Sequence, residues 1–124
     1  MNVAVIRLTE IPIFQIDTDA TYKLLHGTTI LGAVSNLYAD QPEVGGDFAP
    51  YPEASGYRPF FEHCTDDERD FPEPNGDYPN EYFDDELWFV EHPAEGRMPI
   101  WLPAIHWIEG DISWRWRPRT EDAG

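Results

Sequence analysis

Cysteine occurs once in the 124 residues, at Cys64. A single thiol excludes an internal disulfide, and with it the cross-linked framework that holds many small secreted domains together. A cytoplasmic setting is the expectation. Long hydrophobic runs are also missing. The apolar stretches are a few residues each, against the roughly 18–20 that a spanning helix needs. No membrane partner is expected. The opening run Met1-Asn2-Val3-Ala4-Val5-Ile6-Arg7 lacks the basic start and long apolar centre of a secretory signal.

Positive charge is the third shortage. Eight Lys and Arg stand against 24 Asp and Glu, for a formal charge of −16. Such an excess disfavours nucleic acid and anionic membranes as direct partners. It favours a basic protein surface, whose long-range attraction accelerates association. The excess also repels itself across the compact state, and salt relieves that repulsion. The chain has no P-loop or dinucleotide-type glycine pattern, no C-x-x-C or H-E-x-x-H spacing, no EF-hand loop and no internal repeat. Nothing in it names an enzyme, and no cofactor or metal is expected.

The acidity that is present is concentrated. Residues 40–95 hold 17 acidic side chains against Arg58 and Arg69, a net −15 that accounts for nearly the whole charge. The same stretch contains Phe48, Tyr51, Tyr57, Phe60, Phe61, Phe71, Tyr78, Tyr82, Phe83, Trp88 and Phe89. Acidic tails that stay unfolded are poor in aromatics. Here the rings predict a folded frame that displays the charge. Each can bury roughly 150–250 Å², so a few suffice for a core despite an apolar fraction of 41%.

Length predicts one domain, 1–124, with internal zones. In 1–40, alternation over Val3 to Leu8 reads as a buried strand, and Ile13-Phe14-Gln15-Ile16 as a second extended piece. Thr18 and Asp19 are candidate caps for a helix over 20–38. In it Ile30, Ala33, Val34, Leu37 and Tyr38 recur at i, i+3, i+4, i+7 and i+8, one apolar stripe. Zone 41–80 is rich in proline, which removes backbone donors from a sheet. It predicts long acidic loops, with turns at Gly45-Gly46 and Asn75-Gly76-Asp77 and a short helix over 59–70 with Pro59 in first position. Zone 81–117 predicts antiparallel strands at 86–91, 99–102 and 104–108. After a turn at Glu109-Gly110-Asp111, Ile112, Trp114 and Trp116 share one face and Ser113, Arg115 and Arg117 the other. Residues 118–124 read as a frayed tail.

Two acidic runs are the candidate site: Asp66-Asp67-Glu68 with Asp70, and Asp84-Asp85-Glu86. On a helix, side chains three or four apart stand roughly 5–6 Å apart at Cβ. That spacing suits a row of negative charge better than a catalytic pair. Duplex DNA presents about one charge per 1.7 Å of its axis. A rigid row of carboxylates can therefore occupy the basic groove of a nucleic-acid-binding protein. The bland alternative is a solvated face that only aids solubility. Tyr78, Tyr82 and Phe83 are either buried braces or exposed interface anchors. His63-Cys64-x-Asp66-Asp67 and Glu91-His92, with His26 and His106 at a distance, offer donor atoms without a ligand spacing. A Cys64–His63 nucleophile is weakened by adjacency, because neighbours in sequence seldom point together. Arg97, Arg115, Arg117 and Arg119 form the one basic cluster, read as pairing with the protein's own acidic loops.

The expected fold is α+β: an N-terminal strand pair and helix packed on a small antiparallel sheet, with long Pro-rich acidic loops. The expected function is a non-enzymatic acidic inhibitor of a basic, nucleic-acid-binding protein, of the kind viral or mobile-element anti-defence proteins use. Its partner-binding residues are Asp66, Asp67, Glu68, Asp70, Asp84, Asp85, Glu86 and Tyr82. The alternatives are an immunity or antitoxin-type protein that neutralises one basic toxin, and a structural or adaptor subunit.

Overall fold

Gly27 turns the chain back on itself. Its φ of 63° lies where a glycine carries no Cβ penalty. There β1 (Tyr22–His26) reverses into β2 (Thr29–Asp40), pairing antiparallel from His26↔Thr29 to Tyr22↔Val34. The computed structural model describes residues 16–118, which form a broadly α+β structure that is mostly sheet. The strands expected over Val3 to Leu8 and over residues 13–16 fall in or against residues 1–15, outside the described residues, and Ile16 itself is in no strand.

The helix expected over 20–38 is replaced by this hairpin. Two bulges in β2 explain the misleading stripe. One extra residue enters opposite Leu24/Leu25, and another between Ser35 and Tyr38, where Asn36 takes a φ of 55°. Each bulge resets the two-residue alternation. The buried residues Leu31, Val34 and Leu37 therefore fall three apart in sequence while lying on a strand.

The proline-based reading of 41–80 was too broad, because a strand begins at once. β3 (Glu43–Pro50) pairs with β2, and its only proline is its last residue. Gly45-Gly46 is not a turn but part of this strand. A Cβ at Gly45 would collide with the Tyr38 ring, and one at Gly46 would stand 2.9 Å from the Ser35 carbonyl. Glycine is needed there for close approach rather than reversal.

The remaining strands are β4 (Trp88–His92), β5 (Gly96–Pro99), β6 (Ala104–His106) and β7 (Asp111–Arg115). The sheet runs β5-β4-β1-β2-β3-β7-β6, antiparallel throughout. The expected strand over 99–102 is reduced to one bridge, Ile100↔Trp116, and that bridge matters. Trp101 N–H donates to the Arg115 carbonyl at 3.0 Å, and Arg117 N–H to that of Pro99 at 3.1 Å. The chain running from β5 to β6 thus touches β4 on one side and β7 on the other. The sheet curls until its two ends meet at this bridge.

The inward residues include Leu24, Val34, Phe48, Val90, Ile105 and Ile112, all buried. The alternation expected for the last strand holds through Ile112, Trp114 and the exposed Arg115, then fails at Arg117, which is buried. Its Nε donates to the Ile100 carbonyl at 3.0 Å and its Nη2 to that of Trp88 at 3.3 Å. The guanidinium also lies 5.5 Å from the centre of the Phe89 ring. Arg119 lies outside the described residues.

Between β3 and β4 the chain makes one long excursion, residues 51–87. A 3-10 stretch, Pro52–Tyr57, runs directly into helix α1 (Arg58–Cys64), where Pro59, expected in first position, is the second residue. The helix stops at Cys64, well short of residue 70. Phe60 and Phe61 are fully buried. Phe61 faces Trp88 and Trp107, while Phe60 faces Tyr78, Tyr82 and Phe83. Burying each such ring contributes about 1.5–3 kcal/mol. These two side chains dock the excursion on the sheet. Two further 3-10 turns, Asn80–Phe83 and Asp85–Leu87, lead into β4. Among the described residues no helix is long and apolar enough to cross a membrane.

Candidate partner-binding surface

The excursion carries 12 acidic residues against two arginines, so it holds most of the protein's negative charge. Both arginines are engaged locally: Arg58 pairs with Glu62 at 2.9 Å and Arg69 with Asp66 at 3.9 Å. These pairs are exposed and contribute little to stability. Most of the carboxylates are left without a cation.

The first acidic run begins just past the C-terminus of α1. The Asp66 side chain accepts the Glu68 N–H at 2.9 Å, and Arg69 N–H donates to the Asp66 carbonyl at 3.2 Å. The run is thus a tight turn and not a helical row. Carboxylates near the C-terminus of a helix oppose its dipole, so the placement does not help the helix. Asp67, Glu68 and Asp70 are exposed and have no ion-pair partner among the described residues.

The second run has a different character. The Asp84 side chain accepts the Glu86 N–H at 3.0 Å and caps the short 3-10 turn. Burial lowers the pKa of the Arg117 guanidinium, and the negative charges of Glu86, Asp85 and Asp84 work against that shift. Among the described residues Arg117 forms no ion pair with these acids, so the expected pairing of C-terminal arginines with acidic loops is reduced for Arg117 to an attraction without contact. Arg115 instead pairs with Glu43 of β3, at 3.6 Å. No hydrogen bond or ion pair among the described residues joins the two acidic runs; each is fastened separately to the aromatic cluster around Phe60.

The fastening uses the same device twice. His26 Nε2 lies 2.8 Å from the Glu81 carbonyl and its Nδ1 lies 2.9 Å from the Tyr57 hydroxyl. His63 Nε2 lies 2.9 Å from the Asp70 carbonyl and its Nδ1 lies 3.1 Å from the Tyr78 hydroxyl. A carbonyl only accepts, so Nε2 carries the proton in both rings and, in the neutral ring, Nδ1 accepts from the tyrosine. Burial raises the pKa of the Tyr57 hydroxyl, which keeps it a donor at neutral pH. One Tyr–His–carbonyl relay thus pins Asp70 at the end of the first acidic run, and another pins Glu81, three residues before the second.

These contacts bear on two sequence readings. His63 has both nitrogens occupied and neither by Cys64, whose thiol is pushed up to about 12 by burial. That pair is not an activated nucleophile. Among the described residues no three His, Cys, Asp or Glu side chains gather to hold a metal ion. His92 instead bonds Asp17 at 3.0 Å through Nε2 and accepts the Ala94 and Glu95 N–H groups through Nδ1.

Tyr82 is a brace in this arrangement. Its ring stacks on Tyr57 at 4.6 Å and meets Phe60 edge-on at 4.9 Å, and burial raises its pKa. Tyr78 and Phe83 likewise pack against Phe60. The large ring left most open within the excursion is Phe71, at 55% exposure.

Phe71 borders a cleft of about 310 Å³ whose walls include His63, Asp70, Glu73, Asp77 and Tyr78. Sequence reasoning passed over Glu73 and Asp77. The signal available was the turn they bracket, where Asn75 has a φ of 66° and Gly76 N–H donates to the Glu73 carbonyl at 3.2 Å. A second cleft, about 340 Å³, is bordered by Trp101 and Leu102, but its charges, Glu43 and Arg115, neutralise each other.

No protein-family model matches the chain, and comparison with curated proteins and with solved structures finds no significant match to either.

Proposed function

We propose that the protein is a non-enzymatic acidic inhibitor. It binds a basic, nucleic-acid-binding protein by holding carboxylates where that protein expects phosphates. The observation that carries this reading is the exposed, uncompensated set Asp67, Glu68 and Asp70, on a segment pinned through His63. Unpaired carboxylates that are pre-positioned lose little freedom on binding, so more of their attraction appears as affinity. A coat that served only solubility would need no such fastening.

Asp66, Asp84, Asp85 and Glu86 have structural work as well, as turn acceptors or as counter-charges to Arg117. The test therefore uses the free set. The protein is immobilised, exposed to host lysate and eluted in salt steps, with and without duplex DNA. The expected result is a basic protein retained to high salt, displaced by DNA, and lost on combined Asp67→Lys, Glu68→Lys and Asp70→Lys substitution. Retention that survives this triple reversal in a variant with an unchanged melting temperature overturns the reading. Retention of one partner that DNA does not displace would indicate an immunity-type role instead.

A further inference from the structure

We infer that, independently of what the protein binds, Asn75 is a site of spontaneous deamidation, and that Asn80 holds its conversion back in the folded state. Asparagine is among the chemically labile residues. The chain has four, Asn2, Asn36, Asn75 and Asn80, and Asn75 alone is followed by glycine. That neighbour matters because the backbone nitrogen of the next residue is the nucleophile. Glycine has no Cβ to crowd that nitrogen or to restrict the backbone on either side of it. Asn75 and Gly76 are both exposed, so water reaches them.

The reaction needs water and no enzyme. The Gly76 nitrogen gives up its proton and attacks Cγ of Asn75. The new N–C bond closes a cyclic imide. The Cγ–Nδ2 bond breaks, and the departing NH2 takes a proton to leave as ammonia. Water then opens the imide at either carbonyl. Opening at Cγ leaves aspartate. Opening at the backbone carbonyl leaves isoaspartate, whose main chain runs one carbon longer through Cβ and Cγ. Either product adds one negative charge to the loop, between Glu73 and Asp77.

The folded turn opposes this chemistry at both reacting groups. Pro74 and Asn75 are the central residues of a turn in which Asn75 has a φ of 66° and Gly76 N–H donates to the Glu73 carbonyl at 3.2 Å. The nucleophilic nitrogen is therefore occupied. Asn80 holds the other group. Its Nδ2 donates to Asn75 Oδ1 at 2.7 Å, and its Oδ1 accepts the Asn75 N–H at 2.6 Å. Closing the imide requires the carboxamide to turn from Asn80 onto the Gly76 nitrogen and the Glu73 bond to open. The reactive pose is a minority state of the loop, and its population sets the rate. Asn36 provides the contrast. It shares the left-handed backbone, with a φ of 55°, and its side chain donates to Asp47 at 2.8 Å, but Leu37 follows it.

The test is incubation of the full-length protein at neutral pH, folded and in denaturant. Peptide maps are read by mass spectrometry with isoaspartate resolved from aspartate. The expected result is conversion confined to Asn75, with isoaspartate among the products, at least tenfold slower folded than denatured. Asn80→Ala should quicken the folded-state reaction at least fivefold and leave the denatured rate unchanged. Asn80→Asp keeps an acceptor for the Asn75 N–H but loses the donor to Oδ1, so its folded-state rate should fall between the two. The melting temperature of each variant shows that it is folded during the incubation, and Asn80→Asp decides if Asn80→Ala is not. A folded-state rate that the substitution leaves unchanged overturns the inference, as do equal rates in the folded and denatured native sequence. Aspartate without isoaspartate, or conversion as fast at Asn36, does so too.

Discussion

Arg117 Nε and the carbonyl of Ile100, 17 residues earlier in the chain, are joined at 3.0 Å across the line where the two ends of the sheet meet. The same guanidinium bonds the Trp88 carbonyl, so one side chain ties the neighbouring segments of the seam together. Its positive charge is buried there with acidic residues of the excursion as the nearby counter-field.

Replacing this group is expected to open the seam. Arg117→Ala removes two hydrogen bonds from a charged donor and leaves the Ile100 carbonyl without that partner, a loss of about 2–4 kcal/mol. Chemical denaturation reads the change. Arg117→Lys should recover little of it, because an ammonium cannot reproduce the planar fork.

The Tyr78 hydroxyl gives a milder case. Tyr78→Phe keeps the ring against Phe60 but removes the donor to His63 Nδ1. The expected loss is about 1 kcal/mol, localised to the loop. Hydrogen exchange at the amides of residues 70–78 should quicken while the β1–β2 amides stay protected. Equal quickening in both would show that the relay supports the whole fold.

Acid should act through Asp17. The hydrogen bond from His92 holds the Asp17 carboxyl below its ordinary 3.8, helped by the Asp19 N–H. A carboxylate depressed on folding stabilises above its unfolded value, and the contribution disappears as pH falls through the lower, folded value. Asp17→Asn should therefore lower the melting temperature at neutral pH, with the gap to the native protein closing below about pH 3.8. A gap unchanged down to the most acid conditions would mean the Asp17 charge contributes nothing.

Cys64 should be inert while the protein is folded. With its thiol pushed up to about 12 from an ordinary 9.0, the thiolate fraction near neutral pH falls about a thousandfold. Alkylation at pH 8 should be correspondingly slow and should reach the free-thiol rate in denaturant.

In zone 81–117 the strands at 88–92, 104–106 and 111–115 were legible because they alternate, as Ile112 and Trp114 do against Arg115, while β5 was not foreseen and the 99–102 strand shrank to a bridge. The hairpin of 22–40 was not, for a nameable reason. Register bulges turned a two-residue period into a three- and four-residue one, and helical spacing was the natural reading of Ile30, Ala33, Val34 and Leu37. Thr28, Thr29, Ile30 and Val34 are β-branched and pointed the other way. In the site, the two acidic runs were visible as runs. Their unequal duties were not, because the division depends on where Arg117 ends up. The cleft was hidden because Asp70, Glu73 and Asp77 come to one cleft only through a loop that bonds to His63 and Asn80.

The strands and the excursion also divide the charge. Lys23, Arg97 and Arg115 sit on strands β1, β5 and β7 beside acids such as Asp47, Glu91 and Asp111, a mixture near balance. The excursion has a net −10 and almost nothing to offset it. A molecule built this way behaves as an electric compass needle. In the field of a positively charged body it experiences torque as well as pull, and it rotates before it touches. First contacts should be made excursion foremost, which narrows the search over orientations that slows the docking of most protein pairs.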